Sequence, residues 1–403
     1  MSGISTLGAA LNRINLINVQ TDQLNTLTYQ LASGKKTAKF TGLQTDVLTS
    51  KRARADFVAL DTYMNNIDHA ERRISLTLKG IEEFQAQAEN LANSLETFNQ
   101  QSVHQEGDVI YYDDPLTPEV ENIPVGMSSG DPDTALKGIQ DLASNIFDFL
   151  GDLLNTKDTD RYLMSGAATN EQPYKDTGTL DTAISSLIGR WKDETLPAAQ
   201  NLTNNELLSA VKSRSSSQDT NAITDTIVGY SPVLSSNNAG DVFVRVDERS
   251  EIEYTTLANE QPFRDLMVAA AFIKNESFAP IADAYAEPYT AGDPTTADGA
   301  PGATTDEQKD NFFEVFNELT RMVNKALDDM DSVRFKLENA RARIAETKQS
   351  HQNSQAILQT SIDDIENVDV DEVALKINTL QIQLEASYRV TANAQQLSLV
   401  NFI

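Results

Sequence analysis

The chain of 403 residues has no cysteine, only three histidines and one tryptophan. Without thiols it can form neither a disulfide bond nor a cysteine-based metal or catalytic site. The histidines, His69, His104 and His351, lie in or beside stretches with a helical pattern. No grouping of acids, glycines or nucleophiles matches a catalytic, phosphate-binding or calcium-binding motif. We therefore predict no enzymatic activity, no catalytic residue, no cofactor and no metal site.

Basic residues are scarce as well. The chain has 32 lysines and arginines against 60 acidic residues, which gives a formal net charge of -28. Such a charge opposes binding to nucleic acid and to anionic membranes. Long apolar runs are missing, so we expect no insertion into a membrane. The first residues also lack the basic and apolar regions of a cleavable secretory signal. We expect a chain that is either cytoplasmic or exported by a route that needs no such signal.

Proline is absent between Met1 and Tyr112, as a long uninterrupted helix requires. A helical pattern runs from about Thr45 to about Gln101, and another from Asp306 to about Ile365. Between them we predict a helix that begins after Asp133 and ends near Leu154. Four prolines and several acids predict a loop over Gly107 to Pro132.

The two ends of the chain carry apolar residues at alternating three- and four-residue steps, the spacing of a coiled-coil stripe. An isolated helix with such a stripe is marginal in water and needs a partner. We predict that the ends pair with each other and with copies of the protein; two ordinary bundle helices would show the same stripe. The predicted assembly seam consists of Ile4, Leu7, Leu11, Ile14, Leu24, Leu31, Val373, Ile377, Leu380, Leu384, Tyr388 and Leu397.

The middle of the chain differs from both ends in composition: its helical periodicity is weaker, and it has more Gly, Pro, Ser, Thr and Asn. Asp241 to Tyr254 alternates like a β-hairpin, and Phe263 to Lys274 resembles a buried helix. The fold class is therefore mainly α: a rod of long antiparallel helices from both ends, with an inserted α+β domain. The predicted domains are a terminal coiled coil (1–42 and 368–403), a long-helix rod (43–175 and 306–367) and the insertion (176–305).

Four segments carry a resemblance to the flagellin superfamily, which includes flagellin and the hook-associated proteins. The first is Leu31-Ala32-Ser33-Gly34-Lys35-Lys36, and the second is Arg161-Tyr162-Leu163-Met164-Ser165-Gly166 with Pro173-Tyr174. The third is Leu384-Glu385-Ala386-Ser387-Tyr388, and the fourth is the leucine-rich segment from Leu397 to Phe402. The second and third segments are most similar to hook-associated protein 3, which joins hook and filament. Filament flagellin is the close alternative.

The resemblance implies a structural subunit of the bacterial flagellum, exported unfolded and without a cleaved signal to the outside of the cell. Its partners would be copies of itself, other flagellar axial proteins (hook-associated proteins or flagellin) and an export chaperone. The resemblance also implies chain ends that fold only on assembly, in agreement with the unpartnered stripes. Outside this family, the residues themselves are compatible with a cytoplasmic coiled-coil scaffold.

Overall fold

A computed structural model of the chain describes residues 2–99, 102–106, 109–113, 123–124, 134–192, 201–276 and 305–400. Long helices dominate both ends of the chain, so the predicted mainly α fold class is confirmed. The helices are α1 (Ser2–Ser33), α2 (Val47–Asn99), α3 (Thr134–Leu154), α4 (Thr179–Lys192), α5 (Asn204–Lys212), α6 (Asp225–Val228), α7 (Pro232–Ser235), α8 (Gln261–Asn275), α9 (Thr305–Glu366) and α10 (Val370–Val400). A 3₁₀ segment, Phe40–Asp46, precedes α2.

Among the residues that the structure describes, the strands are few and short. They are β1 (Ser102–Glu106), β2 (Val109–Asp113), β3 (Ile123–Pro124), β4 (Lys157–Asp158), β5 (Arg161–Tyr162), β6 (Phe243–Arg245) and β7 (Glu251–Glu253). All pairings are antiparallel: β1–β2–β3, β4–β5 and β6–β7. The hairpin predicted over Asp241 to Tyr254 is confirmed as β6 and β7.

The loop predicted over Gly107 to Pro132 is wrong for its described residues, because β2 and β3 lie within it. The run Val109-Ile110-Tyr111-Tyr112 is made of β-branched and aromatic residues, which favour strands. The prolines that suggested a loop all follow this run, at residue 115 and beyond.

Helices α4 to α7 occupy a region where the sequence shows only weak helical periodicity. Most of them are too short to display it, and side-chain caps define their starts instead. Thr203 and Glu206 form a reciprocal capping box at α5, while the hydroxyls of Thr224 and Ser231 cap α6 and α7. Such caps satisfy backbone N–H groups that the first helical turn leaves unpaired.

The chain divides into two compact units: a central unit of residues 66–345, and a terminal unit of residues 1–65 with 346–403. In the central unit one continuous hydrophobic cluster joins α2, α3, α4, α5, α8 and α9. Every residue of α8 from Pro262 to Ile273 is buried, and α8 packs along α3. The helix predicted over Phe263 to Lys274 is therefore confirmed as a core element. The three-part domain division stays a proposal.

Helices α2 and α9 run antiparallel in both units. In the central unit, Gln85 Nε2 donates to Asp331 Oδ1 at 2.8 Å. In the terminal unit, the rings of Tyr63 and His351 lie with centroids 6.1 Å apart. His351 is buried there, so this histidine serves packing between the two helices. The described part of α9 thus returns along α2, as the sequence predicts for long antiparallel helices.

Candidate assembly surface at the chain ends

The terminal unit is built on a sharp reversal at the end of α1. Gly34 adopts φ +68°, a left-handed conformation that favours glycine, and its N–H donates to Gln30 O at 2.8 Å. Gly34 therefore caps the C-terminal end of α1. Beyond it, Lys36 N donates to Glu366 O at 2.7 Å, and Val368 N donates to Gly34 O at 2.9 Å. These two hydrogen bonds fasten the end of α1 to the connection between α9 and α10.

Glu366, the last residue of α9, is the electrostatic centre of this connection. Its carboxylate accepts hydrogen bonds from Arg54 Nε at 2.7 Å and from Arg54 Nη2 at 2.5 Å. Ser50 Oγ donates to it at 2.6 Å, and Lys35 Nζ donates at 3.3 Å. Three elements that are distant in sequence thus meet on one carboxylate, and we name Lys35, Ser50, Arg54 and Glu366 the terminal clamp.

The clamp holds Glu366 in its charged form. Its pKa is lowered from 4.5 to about 2, mainly because Arg54 donates to the carboxylate, with smaller contributions from Ser50 and Lys35. Burial acts in the opposite direction, since it disfavours the charge. Because the folded-state pKa lies below the unfolded one, the stabilisation is present above pH 4.5 and is lost as the pH falls towards 2.

The clamp also orders the segment before α2. The Phe40 ring lies 5.9 Å from the Arg54 guanidinium carbon and 6.0 Å from Lys51 Nζ. Arg54 is therefore held between a carboxylate and an aromatic face, a favourable arrangement for a planar guanidinium. This packing fixes the entry of the chain into α2.

Beyond the clamp, α1 and α10 pack along each other as an antiparallel pair. On α10, Val373, Leu380 and Leu384 are buried. The facing row on α1 includes Ile17, Leu24 and Leu27, which are half-buried. The Ser387 hydroxyl also lies 3.4 Å from Gln20 Oε1, where the apolar stripe gives way to smaller residues. The two chain ends are therefore partners of each other, as the sequence predicts.

The predicted seam residues separate into three groups. Val373, Leu380 and Leu384 are buried within the chain, and Leu24 and Ile377 are half-buried. Leu11, Ile14, Leu31 and Tyr388 are exposed. The side chains of Ile4, Leu7 and Leu397 lie outside the described residues.

Several large apolar side chains of the two helices stay exposed after this pairing. They are here named the outer face: Leu11, Ile14, Leu16 and Val19 of α1, and Leu375, Ile382, Tyr388 and Val390 of α10. A groove of about 650 Å³ runs between the helices, and Val19, Leu27 and Leu375 are among the residues that line it. Large exposed apolar side chains that are grouped on a surface are typical of an interaction site.

Sequence reasoning missed the clamp and most of the outer face, of which only Leu11, Ile14 and Tyr388 belong to the predicted seam. Ile382 and Leu375 fall between the seam positions, so a search for one stripe passes over them. Glu366 gives no local signal, because Arg54 lies 312 residues away along the chain. Near Glu366, Asp369 caps the start of α10: its Oδ1 accepts from the N–H groups of Asp371 at 3.0 Å and Glu372 at 3.1 Å.

The part of the chain that the structure describes holds no group of three or more His, Asp or Glu side chains placed to bind a metal ion. None of its helices is both long and apolar enough to cross a membrane.

Comparison with known proteins agrees with this geometry. Residues 320–403, which cover most of α9 and all of α10, match the family model of the bacterial flagellin C-terminal helical region. This match supports a relation to the flagellin superfamily. No curated protein matches the chain.

Proposed function

We propose that this chain is a structural subunit of the bacterial flagellum, which polymerises with copies of itself through the outer face of α1 and α10. The observation that carries the proposal is the exposed apolar outer face on the helix that matches the flagellin C-terminal region. An exposed Leu or Ile side chain gains roughly 1.5–3 kcal/mol when a partner buries it fully. Several such residues on two helices supply a strong driving force for assembly.

Buried and exposed apolar residues of α10 have different roles, which explains how the subunit can be both folded and ready to assemble. Val373, Leu380 and Leu384 hold α10 to α1 within one chain. Leu375 and Ile382 remain for neighbours. The buried seam residues then serve pairing inside the subunit. The outer face, which includes the predicted seam residues Leu11, Ile14 and Tyr388, serves contacts between subunits.

Within this class we favour the hook–filament junction protein. The Arg161 to Gly166 segment and the Leu384 to Tyr388 segment support that choice by their resemblance to hook-associated protein 3. Filament flagellin is the second candidate, and the match to the flagellin C-terminal region favours it. Electron microscopy of flagella with this chain labelled separates the two: a ring at the hook tip identifies a junction protein, and label along the filament identifies flagellin.

The proposed partners follow from the class. They are copies of this chain, hook-associated proteins or flagellin as neighbours in the axial structure, and an export chaperone before assembly. The proposed location is the outside of the cell, reached without a cleaved signal peptide.

A matched pair of substitutions on α10 tests the proposal. Ile382 is 69% exposed and Leu380 is 8% exposed, although they lie two residues apart. Ile382→Asp should abolish the pelletable polymer, because it places a charge where a neighbour docks. It should leave the soluble chain as resistant to proteolysis as the parent. Leu380→Asp should make α1 and α10 sensitive to proteolysis, since it breaks their pairing within the chain.

Glu385→Asp serves as the control, because Glu385 is exposed and its ion pair with Arg389 lies at the surface. This variant should polymerise like the parent. Normal polymer formation by Ile382→Asp would contradict the proposal that the outer face joins subunits.

A further inference from the structure

A cleft in the central unit gathers positive charge in a strongly acidic protein. The cavity measures about 690 Å³ and is enclosed by α2, the β4–β5 hairpin and β6. Four arginines line it against two aspartates: Arg72, Arg73, Arg161 and Arg245 against Asp158 and Asp160. In a chain with a net charge of -28 this local excess of positive charge is unexpected.

Two of the arginines are fixed by other elements of the central unit. Arg72 forms an ion pair with Asp158 at 3.2 Å. Arg73 Nη2 donates to the carbonyl oxygen of Tyr162 at 3.1 Å. These contacts tie α2 to the β4–β5 hairpin, so the floor of the cleft is held in place before any ligand arrives.

The other two arginines point to a ligand. Arg245 is exposed, and its guanidinium is oriented by the carbonyl oxygens of Asp247 at 3.3 Å and Glu248 at 2.7 Å. Arg161 is also exposed, and among the described residues its guanidinium makes no hydrogen bond or ion pair. A guanidinium presents a planar fork of donors that suits a carboxylate.

The rim of the cleft adds an apolar contact. Phe243 lines the cavity and is 52% exposed. An aromatic ring beside guanidinium groups can cover the short aliphatic stem of an aspartate or glutamate while the arginines bind its carboxylate. The lining therefore fits an acidic peptide segment.

We infer that this arginine cleft binds a carboxylate-bearing surface segment of a second copy of the chain. The inference rests on the proposed function, because a polymer brings each cleft next to another copy that carries 60 acidic residues. Copies with a net charge of -28 repel one another. A cleft that pairs with a neighbour's carboxylates offsets part of this repulsion and selects the orientation in which subunits meet.

Binding of carboxylates can be measured without polymerisation. Fluorescein-labelled poly-L-glutamate is titrated into the soluble full chain at low salt. Arg161→Glu should weaken binding roughly tenfold, since it replaces a charge-assisted contact by repulsion. Arg249→Glu is the matched control: Arg249 is exposed on the turn between β6 and β7 but does not line the cleft. It should bind within roughly twofold of the parent, as expected for screened surface charges.

The identity of the occupant is tested by zero-length cross-linking. Labelled (¹⁵N) and unlabelled copies of the Arg161→Lys chain are mixed under assembly conditions. The mixture is treated with a carbodiimide, which joins amines to adjacent carboxylates. Mass spectrometry should find position 161 linked to an Asp or Glu of the other isotopic copy. An Arg249→Lys chain should give no such product at position 249.

The two experiments distinguish failure of the carboxylate site from failure of the second copy as its occupant. Unchanged poly-L-glutamate binding by Arg161→Glu overturns the cleft as a carboxylate site. Weakened binding without a cross-link between copies overturns the second copy as its occupant. If the parent chain forms no polymer, the proposed function fails, while the titration still decides whether the cleft binds carboxylates.

Discussion

The central and terminal units use apolar residues in opposite ways. In the central unit, every residue of α8 from Pro262 to Ile273 is buried. In the terminal unit, α10 buries Val373, Leu380 and Leu384 but exposes Leu375 and Ile382. Both helices are rich in apolar residues, so composition does not distinguish them. They differ in how many of their faces other elements of the same chain bury. A helix buried on all faces is stable within one chain, whereas a helix buried on one face needs a neighbouring molecule to bury the other.

The two units also differ in how each holds a charge. Arg264 in α8 is fully buried, and it donates from Nη2 to the carbonyl oxygens of Ser213 at 2.8 Å and Ile223 at 2.6 Å. Its Nη1 lies 3.1 Å from Asp265 Oδ1. Glu366 is nearly as buried, but its partners Arg54 and Lys35 are partly open to solvent. The central charge is therefore sealed inside the core, and the terminal charge joins elements at a surface.

The largest effect should come from Arg264→Ala. It leaves the buried Asp265 without its cation and leaves backbone carbonyl oxygens without a hydrogen-bond donor. This should cost about 3–5 kcal/mol of the free energy of unfolding of the central unit. Calorimetry of the full chain measures the loss. Arg249→Ala, a change at an exposed arginine, should stay within about 0.5 kcal/mol. Equal stability of the Arg264→Ala chain would show that this charge does not hold the central core together.

A smaller effect is expected from Glu366→Gln, which removes the charge of the terminal clamp. A pKa lowered from 4.5 to about 2 would correspond to about 3 kcal/mol. Solvent screens the exposed parts of Arg54 and Lys35, so we expect about 2 kcal/mol. The loss should appear as faster proteolysis in the terminal unit while the unfolding of the central unit is unchanged. Glu372→Gln, at an exposed pair with Lys376, is the control and should have little effect.

The smallest effect concerns pH. Because the pKa of Glu366 is lower in the folded chain, acid removes its contribution as the pH falls from 4.5 towards 2. Between pH 7 and pH 3 the terminal unit of the parent should lose about 1.5 kcal/mol of stability more than that of the Glu366→Gln chain. Proteolysis rates of both chains across this range measure the difference. Parallel pH profiles would show that Glu366 does not respond to acid in this way.

Local features of the fold could be predicted from sequence. The bounds of α2 and α9 follow from an uninterrupted apolar pattern, and the β6–β7 hairpin follows from alternation. The helix predicted to end near Leu154 is confirmed as α3. Each of these depends on residues that are near one another in the chain.

The sequence predicts that the chain ends pair and that the long helices run antiparallel, but not the individual contacts between distant residues. The clamp joins Lys35 and Arg54 to Glu366 across more than 300 residues. Helix α8, which belongs to the predicted insertion, packs on α3 and is therefore part of the central core. No local sequence pattern predicts that contact. The stripe on α10 predicts that a partner is needed, but it cannot tell a partner in the same chain from one in another copy.

The central claim is that the terminal unit is completed by other copies of the chain, and hydrogen exchange tests it most directly. Amides of α1 and α10 would be compared between the soluble chain and the polymer, with α8 as the internal reference. In the soluble chain they should exchange at least roughly tenfold faster than amides of α8, because one covered face gives little protection. In the polymer they should slow by at least roughly tenfold, while α8 is unchanged. Equal protection of α1 and α10 in both states would contradict the claim and show that these helices are complete within a single chain.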